Sequence, residues 1–344
     1  MRKMQGYRAG VNLGGWISQY GKHSYEHFDS FIREQDIKQI ASWGMDHVRL
    51  PIDYPVLEDD DTPFKYKEDG FKYVDNCIEW CKKYGLNVIL DLHRAPGFSF
   101  STLEENRLFD DVFLQERFIK LWQYFAKRYI AEKGNVAFEL LNEVVEPTSD
   151  RWNALAHRAV EAIREIDQDR IVIVGGNSYN SIFTLKEIQL FDDPNVVYTF
   201  HYYEPLLFTH QKASWVNICA EFNQGQEYPG RFVGLKEFLR KRPEYKGWES
   251  QLEVINDRKL MEKNLKVAEE FINSTGKELY CGEYGVISDA PLQSRINWHR
   301  DFVELTKKLN IGRACWSYKQ MNFGLVDADG YVISDELVEI VSQK

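Results

Sequence analysis

The sequence predicts an α/β protein, a (β/α)8 barrel with residues 204–257 inserted after its sixth strand. Short apolar, β-branched runs alternate with amphipathic runs along the whole chain, the pattern of a parallel sheet covered by helices. Eight strand–helix pairs fit into 344 residues, a length that barrels fill as one domain. A doubly wound open sheet would place a glycine-rich phosphate turn after an early strand, and Gly10, Gly14 and Gly15 lack that spacing.

The predicted strands cover residues 7–13, 47–52, 87–92, 136–141, 171–174, 196–200, 278–282 and 313–318. Helical periodicity fills 34–43, 71–84, 112–130, 151–167, 183–191, 259–274, 294–309 and 335–343. Gly85 and Gly312 are expected to follow the last turns of their helices, and Asn273-Ser274-Thr275-Gly276 reads as another stop. From Glu204 to Asp257 the expected helix is delayed by a stretch holding Trp215, Trp248 and Tyr228-Pro229-Gly230. A loop that long is usually functional or a small subdomain. Its start at a strand end puts it on the face where barrel active sites lie, so it is expected to wall a cleft. An inert surface excursion is the plainer alternative. The whole chain, 1–344, is read as one catalytic barrel with this insertion.

A net charge of −10 argues against a nucleic-acid partner, whose phosphates need a basic face, and against anionic membrane surfaces. No apolar run approaches the ~20 residues of a membrane span, and the residues before the first strand are not expected to act as a signal peptide. Five Cys without zinc spacing are expected to be buried free thiols. Free thiols favour a cytoplasmic location, although a secreted chain with its signal removed reads the same. Aromatic residues make up 14%, which suits a cleft for sugars, though core packing accounts for most such rings. A monomer without cofactor or metal is expected.

Side chains at the C-terminal strand ends of a barrel converge on one opening. The first strand offers Asn12 and then Trp16, the second Arg49, and the third Asp91 and His93. The fourth offers Asn142-Glu143, the sixth His201 and Tyr203, the seventh Glu283 and the eighth Trp316. Each has an ordinary reading by itself: His93 as a satisfied core histidine, Arg49 as an ion-pair partner, Trp316 as core. Stability alone would not put all of them at successive strand ends. Glu143 and Glu283 fall across the mouth from each other. Paired carboxylates hydrolyse glycosides with retention at ~5 Å separation and with inversion at ~6.5–9.5 Å, and sequence leaves both open.

Rival carboxylates have plainer roles. Glu139 lies deeper on the same face of its strand and is expected to pair with Arg49. Asp91 is expected to be a hydrogen-bond hub beneath His93, Glu146 a solvated loop residue, and the run Glu58–Asp61 solvated. Metal-dependent hydrolysis lacks ligands: no His-x-His follows the first strand, no HExxH occurs, and His157 and His299 are expected on exterior helix faces. A GxSxG elbow and a Walker loop are absent.

Taken in order, Arg49, His93, Asn142-Glu143, His201-x-Tyr203, Glu283 and Trp316 resemble the strand-end signature of glycoside hydrolase family 5 of clan A. The chain is most similar to its cellulase C-type endoglucanase branch, through AGVNLGGWISQY, HVRLPIDYP, DLHRAPG, FELLNEVVEP, FHYYEP, THQKASW and YCGEYGV. The resemblance implies a retaining mechanism, with Glu143 as acid/base and Glu283 as nucleophile. It also implies that Asn142 binds the sugar 2-hydroxyl, that Arg49 and Tyr203 aim Glu283, and that His201 lies near Glu143. His93 would bind sugar hydroxyls and Trp316 would form the stacking floor; Asn12 and Trp16 are expected to join them in binding substrate. Many family members have Pro directly after the acid, whereas here Val144 follows and the proline comes at Pro147. The expected activity is endo-cleavage of β-1,4 bonds in cellulose-like and mixed-linkage β-1,3-1,4-glucans. β-Mannanase or exo-β-1,3-glucanase specificity is the alternative on the same barrel. A non-catalytic sugar-binding barrel would lack one of the two carboxylates, and both are present.

Overall fold

The computed structural model describes residues 4–132 and 134–344. Eight parallel strands close in sequence order: β1 (Ala9–Asn12), β2 (His47–Asp53), β3 (Asn87–Arg94), β4 (Val136–Glu139), β5 (Val172–Gly175), β6 (Val196–Tyr202), β7 (Leu279–Tyr284) and β8 (Gly312–Cys315). β1 pairs with β8, which completes the barrel and leaves no free sheet edge.

Period-two alternation sorts the side chains. On β3, Val88, Leu90 and Leu92 join the large cluster between sheet and helices, while Ile89 points inward. Met4, Tyr7, Ile89, Ala137, Ile173, Val197, Tyr280 and Ala314 fill the barrel floor. Asp91 and His93 continue the inward row of Ile89, and Glu139 continues that of Ala137.

Register shifts in β6 between Phe200 and His201, and in β7 between Cys281 and Tyr284, bring His201 opposite Glu283. Simple alternation in β7 would turn Glu283 outward with Leu279 and Cys281. The bulge reverses that: Glu283 meets the barrel interior and Tyr284 the helices.

Amphipathic helices cover the barrel, among them Glu34–Ser42, Glu68–Tyr84, Val112–Arg128, Asp150–Arg164, Arg258–Thr275 and Leu292–Lys308. Gly85 and Gly276 end their helices in the left-handed conformation, as expected of stop glycines. Gly312 does not. It opens β8, where a Cβ would fall 2.0 Å from the Tyr7 carbonyl oxygen, and Asn310 supplies the positive φ after the preceding helix instead. The helix expected over 183–191 is only a 3-10 stretch, Ile182–Glu187, followed by extended backbone at Ile188.

Between β6 and Arg258–Thr275 run the short helices Leu206–Thr209, Asn217–Phe222 and Leu235–Lys241 and the 3-10 stretch Pro243–Gln251. Their apolar residues, Ile218, Phe222, Leu235 and Phe238 among them, form a satellite cluster that also takes in Trp316 and Phe323. All five cysteines are buried free thiols. No helix among the described residues is long and apolar enough to cross a membrane.

Candidate active site

At the C-terminal end of the barrel the interior changes from apolar to charged. Arg49, fully buried, is the centre. Its Nε and Nη2 donate to the two oxygens of Glu139 at 2.8 and 3.0 Å. Nη1 donates to Asn12 Oδ1 at 2.9 Å and to Glu283 Oε1 at 2.8 Å. Nη2 also donates to Asn142 Oδ1 at 2.9 Å and lies 3.0 Å from Asp91 Oδ2. Every donor of the guanidinium is engaged, so its orientation is fixed. Glu139 is thus the buried partner of Arg49 that its depth in the strand suggested.

Glu283 has a donor on each oxygen, Arg49 on Oε1 and the Tyr203 hydroxyl on Oε2 at 2.9 Å. Glu143 is placed differently. It follows β4 with a left-handed φ of 43°, a conformation that costs a non-glycine residue ~1–2 kcal/mol. Among the described residues its partner is His201, whose Nδ1 lies 2.8 Å from Glu143 Oε1 and 3.6 Å from Glu283 Oε2. Burial pushes Glu143 up to about 8, opposed by Arg49 and reinforced by the charges of Asp91 and Glu139. The guanidinium faces Asp91, Glu139 and Glu283 directly, and Glu143 is the carboxyl left without a cation in contact among the described residues. Burial holds His201 down at about 4, so the ring beside Glu143 is neutral.

His93 bonds Asp91 Oδ2 through Nδ1 at 2.7 Å, and burial lowers it to about 3. Its ring lies parallel to the Trp316 indole, with an interplanar angle of 3° and centroids 5.7 Å apart. A Cβ at Gly14 would fall 2.7 Å from the Trp316 ring, so a glycine is required where the indole rests on the first loop. Asn142 is buried with its oxygen fixed by Arg49, and its Nδ2 has no partner among the described residues.

Two sequence expectations fail here. Trp16 is fully buried away from the mouth: its Nε1 donates to the Phe28 carbonyl at 2.7 Å and its ring stacks on Trp80. The Gly14-Gly15 turn, with Gly15 at φ 80°, redirects the chain before Trp16. Asn12 lies beneath the site. Its amide nitrogen binds the carbonyls of Gly282, Ala314 and Cys315, and its oxygen binds Arg49, so it supports the site from below.

Other carboxylates also move from their expected places. The Glu146 side chain is 9% exposed and paired with Arg151, and Glu58 is buried against Arg117. His299 is buried, with Nδ1 bonded to the Arg295 carbonyl. Sequence reading missed Asn180, whose Nδ2 lies 3.4 Å from His201 Nε2. The available signal was Gly175-Gly176-Asn177 directly after an apolar run, with a second Asn three residues on.

Glu143, His201 and Glu283 offer ligand atoms within 4.8 Å of one another. Arg49 already occupies Glu283 Oε1 and would repel a dication there. The arrangement sets one carboxyl raised by burial beside another met by two donors, a pairing suited to general acid–base chemistry.

This is the constellation of a barrel that cleaves glycosidic bonds. The family model described as Cellulase (glycosyl hydrolase family 5) matches residues 6–322, and the chain belongs to that family. It is 49% identical to Endoglucanase C of Acetivibrio thermocellus over 341 residues, 99% of each chain. It is 38% identical to Cellodextrinase A of Ruminococcus flavefaciens, covering 92% of this chain and 86% of that one. Among solved structures, Cel5A of Thermotoga maritima in complex with mannotriose superposes with a TM-score of 0.80 at 25% identity, covering 98% of each chain. The chain is therefore a glycoside hydrolase.

Proposed function

We propose that the protein is a retaining endo-β-glucanase that cleaves β-1,4 linkages in cellulose-like and mixed-linkage β-1,3-1,4-glucans. The observation that carries the mechanism is the approach of Glu143 and Glu283, which offer oxygens within 4.8 Å of each other. Oxygens that near favour the ~5 Å carboxyl spacing of a retaining pair over the ~6.5–9.5 Å that leaves room for an inverting water. The likeness to Endoglucanase C supports the endo-glucanase activity.

In this reading Glu283, met by Arg49 and Tyr203, attacks the anomeric carbon and forms a glycosyl ester. The glycosidic C–O bond breaks as Glu143 gives its proton to the leaving oxygen. Esterification removes the Glu283 charge, and Glu143, now ionised, takes a proton from the water that attacks the same carbon. The ester opens and both carboxyls return to their starting states. Asn142 Nδ2, a buried donor without a partner among the described residues, is the group for the sugar 2-hydroxyl. His93 is assigned to sugar hydroxyls and Trp316 to stacking beneath the ring.

The segment 204–257 is assigned to the cleft wall. Trp215 in it is 54% exposed and lies beside His210, which packs on Tyr203 with ring centroids 4.8 Å apart.

The direct test is trapping with a 2-fluoro glycoside: the label is expected on Glu283, and a label on another residue would sink the mechanism. Product sizes from lichenan, carboxymethylcellulose, mannan and laminarin test the specificity, with short oligosaccharides of mixed length expected from the first two. β-Mannanase activity is the second reading, favoured by the mannotriose complex of the Thermotoga maritima relative. Faster turnover of mannan than of either glucan would establish it.

A further inference from the structure

The chemistry above makes no use of Asn180, which lies buried against the far nitrogen of His201. Asn180 is fully buried. Its Nδ2 is 3.4 Å from His201 Nε2, and its Oδ1 meets no partner among the described residues.

The turn that carries Asn180 is shaped for this placement. Ser178, Tyr179 and Asn180 have φ values of 56°, 62° and 52°, a run in the left-handed region that residues with side chains rarely adopt. A Cβ at Gly175 would fall 2.3 Å from Asn180 Oδ1, so the slot for the amide exists because that residue is glycine. The turn is also tied to the loop that carries Glu143. Tyr179 N donates to Val144 O at 3.1 Å. Asn177 accepts from Glu146 N at 2.9 Å and donates to Glu146 O at 2.8 Å.

A neutral imidazole has one donor and one acceptor nitrogen, and the partner of one nitrogen decides the other. If the Asn180 amide donates to Nε2, the ring proton sits on Nδ1 and is donated to Glu143 Oε1. The other oxygen of Glu143 then carries the reactive proton. In the opposite sense Glu143 would donate into Nδ1, Nε2–H would donate to Asn180 Oδ1, and the acid's proton would be directed away from the substrate.

We propose that Asn180 is a positioning residue that holds His201 as the Nδ1–H tautomer and so keeps the proton of Glu143 on the oxygen not bonded to His201. This rests on the reading of Glu143 as the acid/base.

The first test uses the wild-type protein with 15N-labelled histidine, the His201 signals being assigned with a His201→Gln variant. Below the titration of Glu143, the shifts are expected to show a protonated Nδ1 and a bare Nε2. A protonated Nε2 would overturn the proposal, and this measurement needs no Asn180 variant to fold.

The second test compares Asn180→Asp, an acceptor that enforces the opposite sense, with Asn180→Leu, which removes the partner. Glucan turnover is expected to fall about ten- to hundred-fold in both, within the range that general acid catalysis supplies. The bond-breaking step on aryl glycosides with good leaving groups, which need little acid assistance, is expected to fall far less. Asn180→Asp is also expected to move the basic limb of the kcat/KM profile to higher pH. Equal losses on both substrates with an unmoved limb would reduce Asn180 to a structural role. Glu143→Gln separates the two levels. If it retains wild-type glucan turnover, the acid/base reading falls and this proposal falls with it. If it collapses while the Asn180 variants keep the wild-type profile and substrate ratio, only this proposal fails.

Discussion

The floor and the mouth of the barrel are lined by the same strands and hold opposite chemistry. At the floor, Ile89, Ala137, Val197 and Tyr280 close the interior with mostly apolar packing. Farther along the same strands, Asp91, Glu139, His201 and Glu283 gather around a buried guanidinium. Apolar packing is non-directional and stabilises nearly in proportion to the area buried. A buried ion cluster contributes little net stability but fixes directions, and removing one member leaves the others uncompensated. The floor therefore supports the fold and the mouth supports the chemistry, and substitutions should separate the two.

The largest effect on turnover is expected at Glu283. Glu283→Ala should lower kcat on barley glucan by at least ~10⁴-fold; wild-type turnover would refute the assignment. Arg49→Met comes next, because it removes the cation that meets Glu283 and every other acid of the hub. It strands three buried carboxylates, so denaturant titration should show a loss of ~3–5 kcal/mol together with a collapse of activity.

The pH dependence of stability gives an intermediate test. Glu143 stands at about 8 in the fold against an ordinary 4.5, so the native state holds a proton that the unfolded chain releases. Its contribution is fully present below 4.5 and is lost as pH rises from 4.5 to 8. His201, lowered to about 4, acts in the opposite sense and removes stability as pH falls below its ordinary 6.5. Comparing Glu143→Gln with wild type isolates the first effect. The variant should gain stability relative to wild type between pH 5 and 8.5, and an unchanged difference would contradict the raised carboxyl.

The smallest effect on chemistry is expected at the floor and outer core. Ile89→Ala should cost ~2–5 kcal/mol by leaving a cavity, with kcat on glucan within about two-fold of wild type. Trp16→Phe should likewise lower stability and leave KM unchanged. A raised KM would return Trp16 to the sugar site.

How much of this was legible in the sequence depended on how local the cause was. The barrel follows from the alternation of apolar and amphipathic runs, and the inward row of Arg49, Asp91 and Glu139 from period-two alternation within strands, both local properties. Glu283 was found at the right strand end, but its inward aim depends on a bulge that alternation does not contain. Trp16 was misplaced because a turn at Gly14-Gly15 lies between it and β1. Glu58 and Glu146 read as solvated because their partners, Arg117 and Arg151, belong to helices that reach them only in the fold. Asn180 stayed hidden for a similar reason: a left-handed run that ordinary residues rarely adopt brings it under His201.

The hub at Arg49 also bears on the order in which the site is assembled. Asn12, Asp91, Glu139 and Asn142 lie in the first four strands or just beyond them, and Glu283 arrives from the seventh. A chain emerging from the ribosome N-terminus first holds most of the partners of the guanidinium long before Glu283 is synthesised. The partners that orient Arg49 are thus encoded in the first half of the chain, and Glu283, which that guanidinium meets, in the second.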